Sequence, residues 1–139
     1  MAESPGTDAA TEVVRAAFRH YRAQDRAAAF ALYADDFTFS SPQDDHIDKA
    51  AFFARCFPTA DRFDEQRLLY VVPAGAADGE GEVGGDGDGE VGGDADGEVV
   101  LAYYEYELSD GGGRFRNVEA ITVRDGLVRE VRVFFGGRV

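Results

Sequence analysis

The stretch Phe115–Gly136, FRNVEAITVRDGLVREVRVFFG, alternates with period two on both sides of Arg124-Asp125-Gly126. That period is the mark of a strand whose two faces meet different surroundings. Phe115, Asn117, Glu119, Ile121 and Val123 share one face, while Arg116, Thr122 and Arg124 take the other. Arg-Asp-Gly reads as a tight turn, because Gly supplies a positive φ without a Cβ to clash. The segment therefore predicts a β-hairpin with one mostly apolar face.

Outward from this hairpin, EVVLAYYEYEL (98–108) precedes it across SDGGGR, a second glycine-rich turn, and QRLLYVV (66–72) is a further strand rich in Val, Leu and Tyr. Toward the N-terminus the period lengthens. Val14, Ala17, Phe18 and Tyr21 fall at i, i+3, i+4 and i+7, so Asp8 to about Ala23 predicts an amphipathic helix. QDRAAAFALYADD restarts a helix, with Asp25 as N-cap and Ala29, Phe30 and Tyr33 inward, and it ends before the strand FTFS (37–40). IDKAAFFARCF is a third, shorter helix capped by Asp48 and stopped at Pro58. Helices gathered at one end of the chain and strands at the other predict an α+β fold, three helices packed on one face of a curved, mainly antiparallel sheet.

The 139 residues suit one domain, and 45% hydrophobic content suits an ordinary core. The formal charge of −13 is concentrated: Asp78–Glu98 holds nine acids and no base, which leaves about −4 for the rest. We read a single domain over 1–139, with a disordered tail at 1–7 and an acidic Gly/Asp-rich insert at 75–98 that is a self-repelling hairpin loop. Within the insert GEVGGD recurs at Gly81 and Gly89, a period of eight that fits calcium-binding β-helix repeats poorly. No cluster of Lys and Arg is present to displace counterions from phosphates, so nucleic acid is excluded as a partner. No apolar run is long enough to span a membrane, and the N-terminus lacks the pattern of a signal peptide; a cytoplasmic location follows. Cys56 stands alone, and two distant histidines give no metal spacing, so neither metal nor other cofactor is expected.

DRAAAFALYADDFTF, SPQDDHIDKAAFFARCFP and FRNVEAITVRDGLVREVRVFFG together resemble the nuclear-transport-factor-2-like superfamily, in its SnoaL-like and ketosteroid-isomerase-like branch. The resemblance covers the chain apart from its tail and insert. It implies a cone: a strongly bent sheet wrapped by three helices around an apolar pocket. Members include isomerases, cyclases, dehydratases, epoxide hydrolases and non-catalytic domains, so the fold fixes no chemistry.

In the isomerases the general base is an aspartate before a proline at the end of the first strand; here that place is held by Ser41. A serine hydroxyl cannot take a proton next to a carbonyl without a partner base. The oxyanion-donating tyrosine of those enzymes aligns with Ala17. Glu119, by contrast, falls where the isomerases carry a second carboxylic acid kept protonated by apolar surroundings. An inward Glu119 either has its pKa raised by burial or pairs with a strand arginine such as Arg132. Asn117 lies beside it on the same face. Asp45 and His46, in the loop before the third helix, form a second candidate, a carboxylate next to an imidazole. Phe18, Tyr21, Ser41, Phe53, Phe57, Tyr104, Tyr106, Phe115 and Ile121 are the expected pocket wall. The chain is thus expected to bind a small apolar molecule, with acid–base chemistry of isomerase, cyclase or hydratase type or as a non-catalytic binding or dimerisation module. Bulky side chains on both sides of the strands point to a homodimer through the sheet.

Overall fold

The computed structural model describes residues 5–76 and 97–139. Most of the expected tail and acidic insert, 1–4 and 77–96, lies outside the described residues. Helix α1 spans Pro5–Ala23, starting three residues earlier than its apolar periodicity indicates. Pro5 supplies a φ already suited to a first helical position. Helices α2 (Arg26–Leu32) and α3 (Lys49–Arg55) are capped as the sequence predicts: the Asp25 carboxylate accepts from Ala28 N at 3.2 Å, and Asp48 from Ala51 N at 2.9 Å. Beyond α3 the chain tightens into a 3-10 turn, Phe57–Arg62, around Pro58.

Six strands form one sheet: β1 (Tyr33–Ser41), β2 (Asp44–Asp48), β3 (Phe63–Ala76), β4 (Glu98–Leu108), β5 (Arg114–Arg124) and β6 (Leu127–Arg138), in the order β2-β1-β6-β5-β4-β3. All neighbours are antiparallel except β1 and β6. The α+β cone is therefore present, its curved sheet unclosed and its helices on the concave face. Bulges steepen the bend, since an extra residue on one strand coils the ribbon. One lies at Leu68–Tyr70 of β3, and another at Gly136–Gly137, which oppose the single residue Arg116. Asp125 and Gly126 both have positive φ, 56° and 79°, the turn that matches a right-twisted hairpin.

Three expectations change. Asp44–Asp48 is a strand rather than a loop; its one inward apolar residue, Ile47 opposite Phe39, is too little to show a period, and pairing with β1 holds it. β1 begins at Tyr33, so YADD is strand and not helix. Phe30 is 44% exposed rather than inward, lying edge-on to Phe53 with Lys49 Nζ 3.7 Å from its ring centre.

Val14 and Ala17 of α1, Phe37 of β1, Phe52 and Phe53 of α3, and Val100, Ile121 and Val128 of the sheet form one buried cluster. No helix among the described residues is long and apolar enough to cross a membrane.

Candidate functional site

The cone encloses a cavity of about 390 Å³, within the range of ordinary small-molecule sites. Its wall is mostly apolar, with Phe18, Phe52, Phe57, Ile121, Val131 and Val133 contributing. Tyr21, Ser41, Tyr104, Tyr106, Asn117 and Glu119 line it as the sequence predicts. Two expected wall residues do not. Phe53 is fully buried in the core, and Phe115, the cross-strand partner of Tyr106, stacks on it with Arg138 over its own ring.

A directed chain of hydrogen bonds runs along the inner face of β4, β5 and β6. Gly136 N donates to Asn117 Oδ1 at 3.3 Å, Asn117 Nδ2 donates to the Tyr104 hydroxyl at 3.3 Å, and that hydroxyl donates to Glu119 Oε2 at 2.7 Å. Tyr104 and Asn117 are direct cross-strand partners, which puts Glu119 on the diagonal within reach of the phenol. No hydrogen bond to the other carboxyl oxygen, Oε1, is found among the described residues. What surface Glu119 retains is turned to the cavity it lines.

Burial among apolar walls raises the Glu119 pKa from an ordinary 4.5 to about 7, against the opposing pull of the Tyr104 hydrogen bond. The expected alternative, a strand arginine as partner, is not realised. Arg132 stands opposite Ala120 on the outward face and is exposed. The same charge reaches the phenols around it: Tyr104 and Tyr33 are both raised first by burial and then by Glu119, and Tyr21 also feels that carboxylate. A group near pH 7 exists in both protonation states at neutral pH, so Glu119 can give or take a proton there.

Gly136 is needed for this arrangement. A Cβ on it would stand 2.3 Å from the Arg116 carbonyl oxygen, which lies in the bulge that aims the Gly136 N–H at Asn117. Gly136→Ala is expected to destabilise the fold by about 1–3 kcal/mol, through overpacking against backbone, and to shift the Glu119 titration. Urea unfolding with an NMR titration checks both; an unchanged Glu119 pKa would show that the bulge does not govern the chain.

Asp45 and His46 do not join this site. The His46 ring lies 2.7 Å from the Asp45 carboxylate and 3.7 Å from Glu130, but both side chains are exposed, at 61% and 93%, and neither lines the cavity. β2 turns them outward on the sheet edge. Asp44 does reach the cavity, at its mouth, where Arg55 donates to it at 2.7 Å and the Ser41 hydroxyl at 3.4 Å. Its charge is thus already matched, and Ser41 serves the turn. Ala17 lies in the wall with no polar group to offer. Among the described residues no group of three or more His, Cys, Asp or Glu converges to hold a metal.

Solved structures share this architecture over nearly the whole chain. An NTF-2 like protein of unknown function from Burkholderia xenovorans superposes with TM-score 0.64 at 16% identity, covering 95% of this chain and 86% of its own. The fold is nuclear-transport-factor-2-like. A Mycobacterium tuberculosis LEH-like epoxide hydrolase matches with TM-score 0.65 at 17% identity, over 94% of this chain and 85% of that one. A Kribbella flavida protein provisionally called a ketosteroid isomerase gives TM-score 0.66 at 18% identity, over 96% and 82%. At these identities the likeness is one of fold. No protein-family model and no curated protein matches the sequence.

Proposed function

We propose that this chain binds a small, largely apolar metabolite in the cone and that Glu119 exchanges a proton with it. The observation that carries the reading is a buried carboxyl group on the wall of an apolar cavity, with one oxygen fixed by Tyr104 and no ion-pair partner among the described residues, so that burial pushes its pKa up to about 7. Glu119 takes a proton from a carbon or oxygen of the ligand and returns it to another atom of the same molecule. The net change is then an isomerisation or ring closure, with no second reactant consumed. Solved relatives of this fold named for an epoxide hydrolase and a ketosteroid isomerase support a small-molecule role for the cone.

Apolar ketones, lactones and epoxides, screened by thermal shift, are the test. Compounds that raise the melting temperature should alter the Glu119 carboxyl signal in carbon-detected NMR, and their turnover, where it occurs, should follow a pKa near 7 and vanish in Glu119→Gln. A ligand-insensitive melting point together with a Glu119 pKa below about 5 would sink the proposal.

The opposite face of the sheet favours pairing of two copies. Tyr70, Val72 and Phe134 are 64%, 42% and 55% exposed there, and Tyr70 stacks on Tyr103 at 5.9 Å. A contiguous apolar patch on an antiparallel sheet is the usual ground of a twofold interface. Phe134→Asp is expected to convert a homodimer into the 15.0 kDa monomer with little change in the ligand response. Sedimentation showing the parent itself to be monomeric at tens of micromolar, roughly where ordinary dimer interfaces hold, would end this part of the reading.

A further inference from the structure

A second groove opens between α1 and β3, one of the two edge strands of the sheet, lined by Arg15, Arg19, Arg22, Phe18, Gln66 and Leu68. Phe18 and Gln66 also line the cone cavity, so the groove and the cavity meet at these two side chains. The three arginines recur at i, i+4 and i+7, which stacks them along one side of the helix. Arg22 is tied to the protein, donating to the carbonyls of Ala60 and Phe63 at 3.3 and 3.4 Å. Arg15 and Arg19 are exposed, and among the described residues neither lies within 4 Å of a carboxylate. Arg67, Arg116 and Arg124 are committed to acids, whereas Arg15 and Arg19 in this adjoining groove, like Arg62 on the cavity wall, have no carboxylate partner among the described residues. Gln66 adds a polar feature at the junction, because its Oε1 is buried with no hydrogen-bond partner.

We infer that the molecule taken by the cone is amphipathic: its apolar body lies inside, and an anionic end group, carboxylate or phosphate, rests on Arg15 and Arg19 outside. The connecting segment passes Phe18 and Gln66, where a hydroxyl or amide N–H of the ligand would satisfy the unpartnered Gln66 oxygen. Guanidinium groups are suited to both anions because their planar N–H pairs match the spacing of the oxygens. This rests on the cone being a ligand site, and it narrows the ligand to one class.

Isothermal titration of the full chain with decanoate, decyl phosphate and 1-decanol separates the two ideas. The anions are expected to bind at least about tenfold tighter than decanol at low salt, an advantage that shrinks as sodium chloride is added, since exposed charges are screened. In the double variant R15Q/R19Q both anions should fall to the affinity of decanol, while decanol itself is unchanged. Whichever anion loses more identifies carboxylate or phosphate as the preferred group. Equal affinities for anion and alcohol in the parent, or an anion preference that survives R15Q/R19Q, would overturn the inference and leave the cone reading intact. Failure of all three to bind would likewise overturn the inference, while the cone reading stands or falls by the thermal-shift screen and the Glu119 titration. Because both arginines are exposed, the double variant should keep the parent's circular dichroism and melting temperature.

Discussion

Phe53→Ala is expected to cost about 3–5 kcal/mol of folding stability, a large part of the roughly 5–15 kcal/mol that holds an ordinary domain. Phe53 has no exposed surface, and the rings of Phe30, Tyr33, Phe52 and Phe57 surround it at centroid distances of 5.1–5.3 Å. Those rings come from α2, β1, α3 and the 3-10 turn, so they cannot all move inward to fill the vacated space. The residual void adds to the lost burial. The substitution also distinguishes core from pocket wall. A wall residue would be removed at smaller cost and would leave room for a bulkier ligand. Urea denaturation showing a loss under about 1.5 kcal/mol, the range of well-tolerated core changes, would return Phe53 to the wall.

The elements most legible in the sequence are those fixed by local chemistry. Asp25 and Asp48 cap helices because a side-chain oxygen meets a free N–H three residues on, a relation contained within four residues. The Asp125-Gly126 turn is local in the same sense. β2 was not legible. DDHID has no alternation to detect, and it becomes a strand only because Thr38, Phe39 and Ser41 lie alongside to pair with it. The Tyr33–Asp36 segment has a similar history: an alanine-rich helix precedes it, and only pairing of Tyr33 with Val128, far along the chain, draws it into the sheet.

The candidate site divides along the same line. Strand alternation alone places Glu119 and Asn117 inward, and the structure agrees. Which residue would meet Glu119 depends on the register of β4 against β5, and that depends on how many residues the SDGGGR turn consumes. The turn resolves as Ser109–Gly113, so Tyr104 faces Asn117 and its hydroxyl reaches Glu119. The Gly136–Gly137 bulge was equally hidden, although a pair of glycines inside a strand is a signal that the ladder breaks there. Asp45 and His46 misled for the opposite reason. Their adjacency in sequence is real, and it brings the imidazole against the carboxylate, but at the outer edge of the sheet.

Glu119→Gln is expected to be more stable than the parent at pH 8, an uncommon outcome for a change inside a binding cavity. The amide keeps the shape and can still accept the Tyr104 hydrogen bond, so only ionisation is removed. In the parent, the folded-state pKa is raised to about 7 from an ordinary 4.5. Below pH 4.5 the carboxyl is protonated in both folded and unfolded chains and contributes no pH dependence. As pH rises from 4.5 to 7 the unfolded chain releases this proton while the folded one keeps it, and stability falls accordingly. Above 7 both are ionised, and a penalty of about 3 kcal/mol for the desolvated charge remains. Asp36 and Glu105, held low by Arg124 and Arg116, act in the opposite sense, contributing stability that is lost on acidification. They are present in both proteins and cancel in the difference. Chemical denaturation from pH 4 to 8 should therefore show the variant gaining about 3 kcal/mol on the parent across that window. A difference that stays flat with pH would place the Glu119 pKa near its ordinary value. One that runs the other way would mean that a cation holds the carboxylate charged, and with it the proton exchange proposed for the cone would be lost.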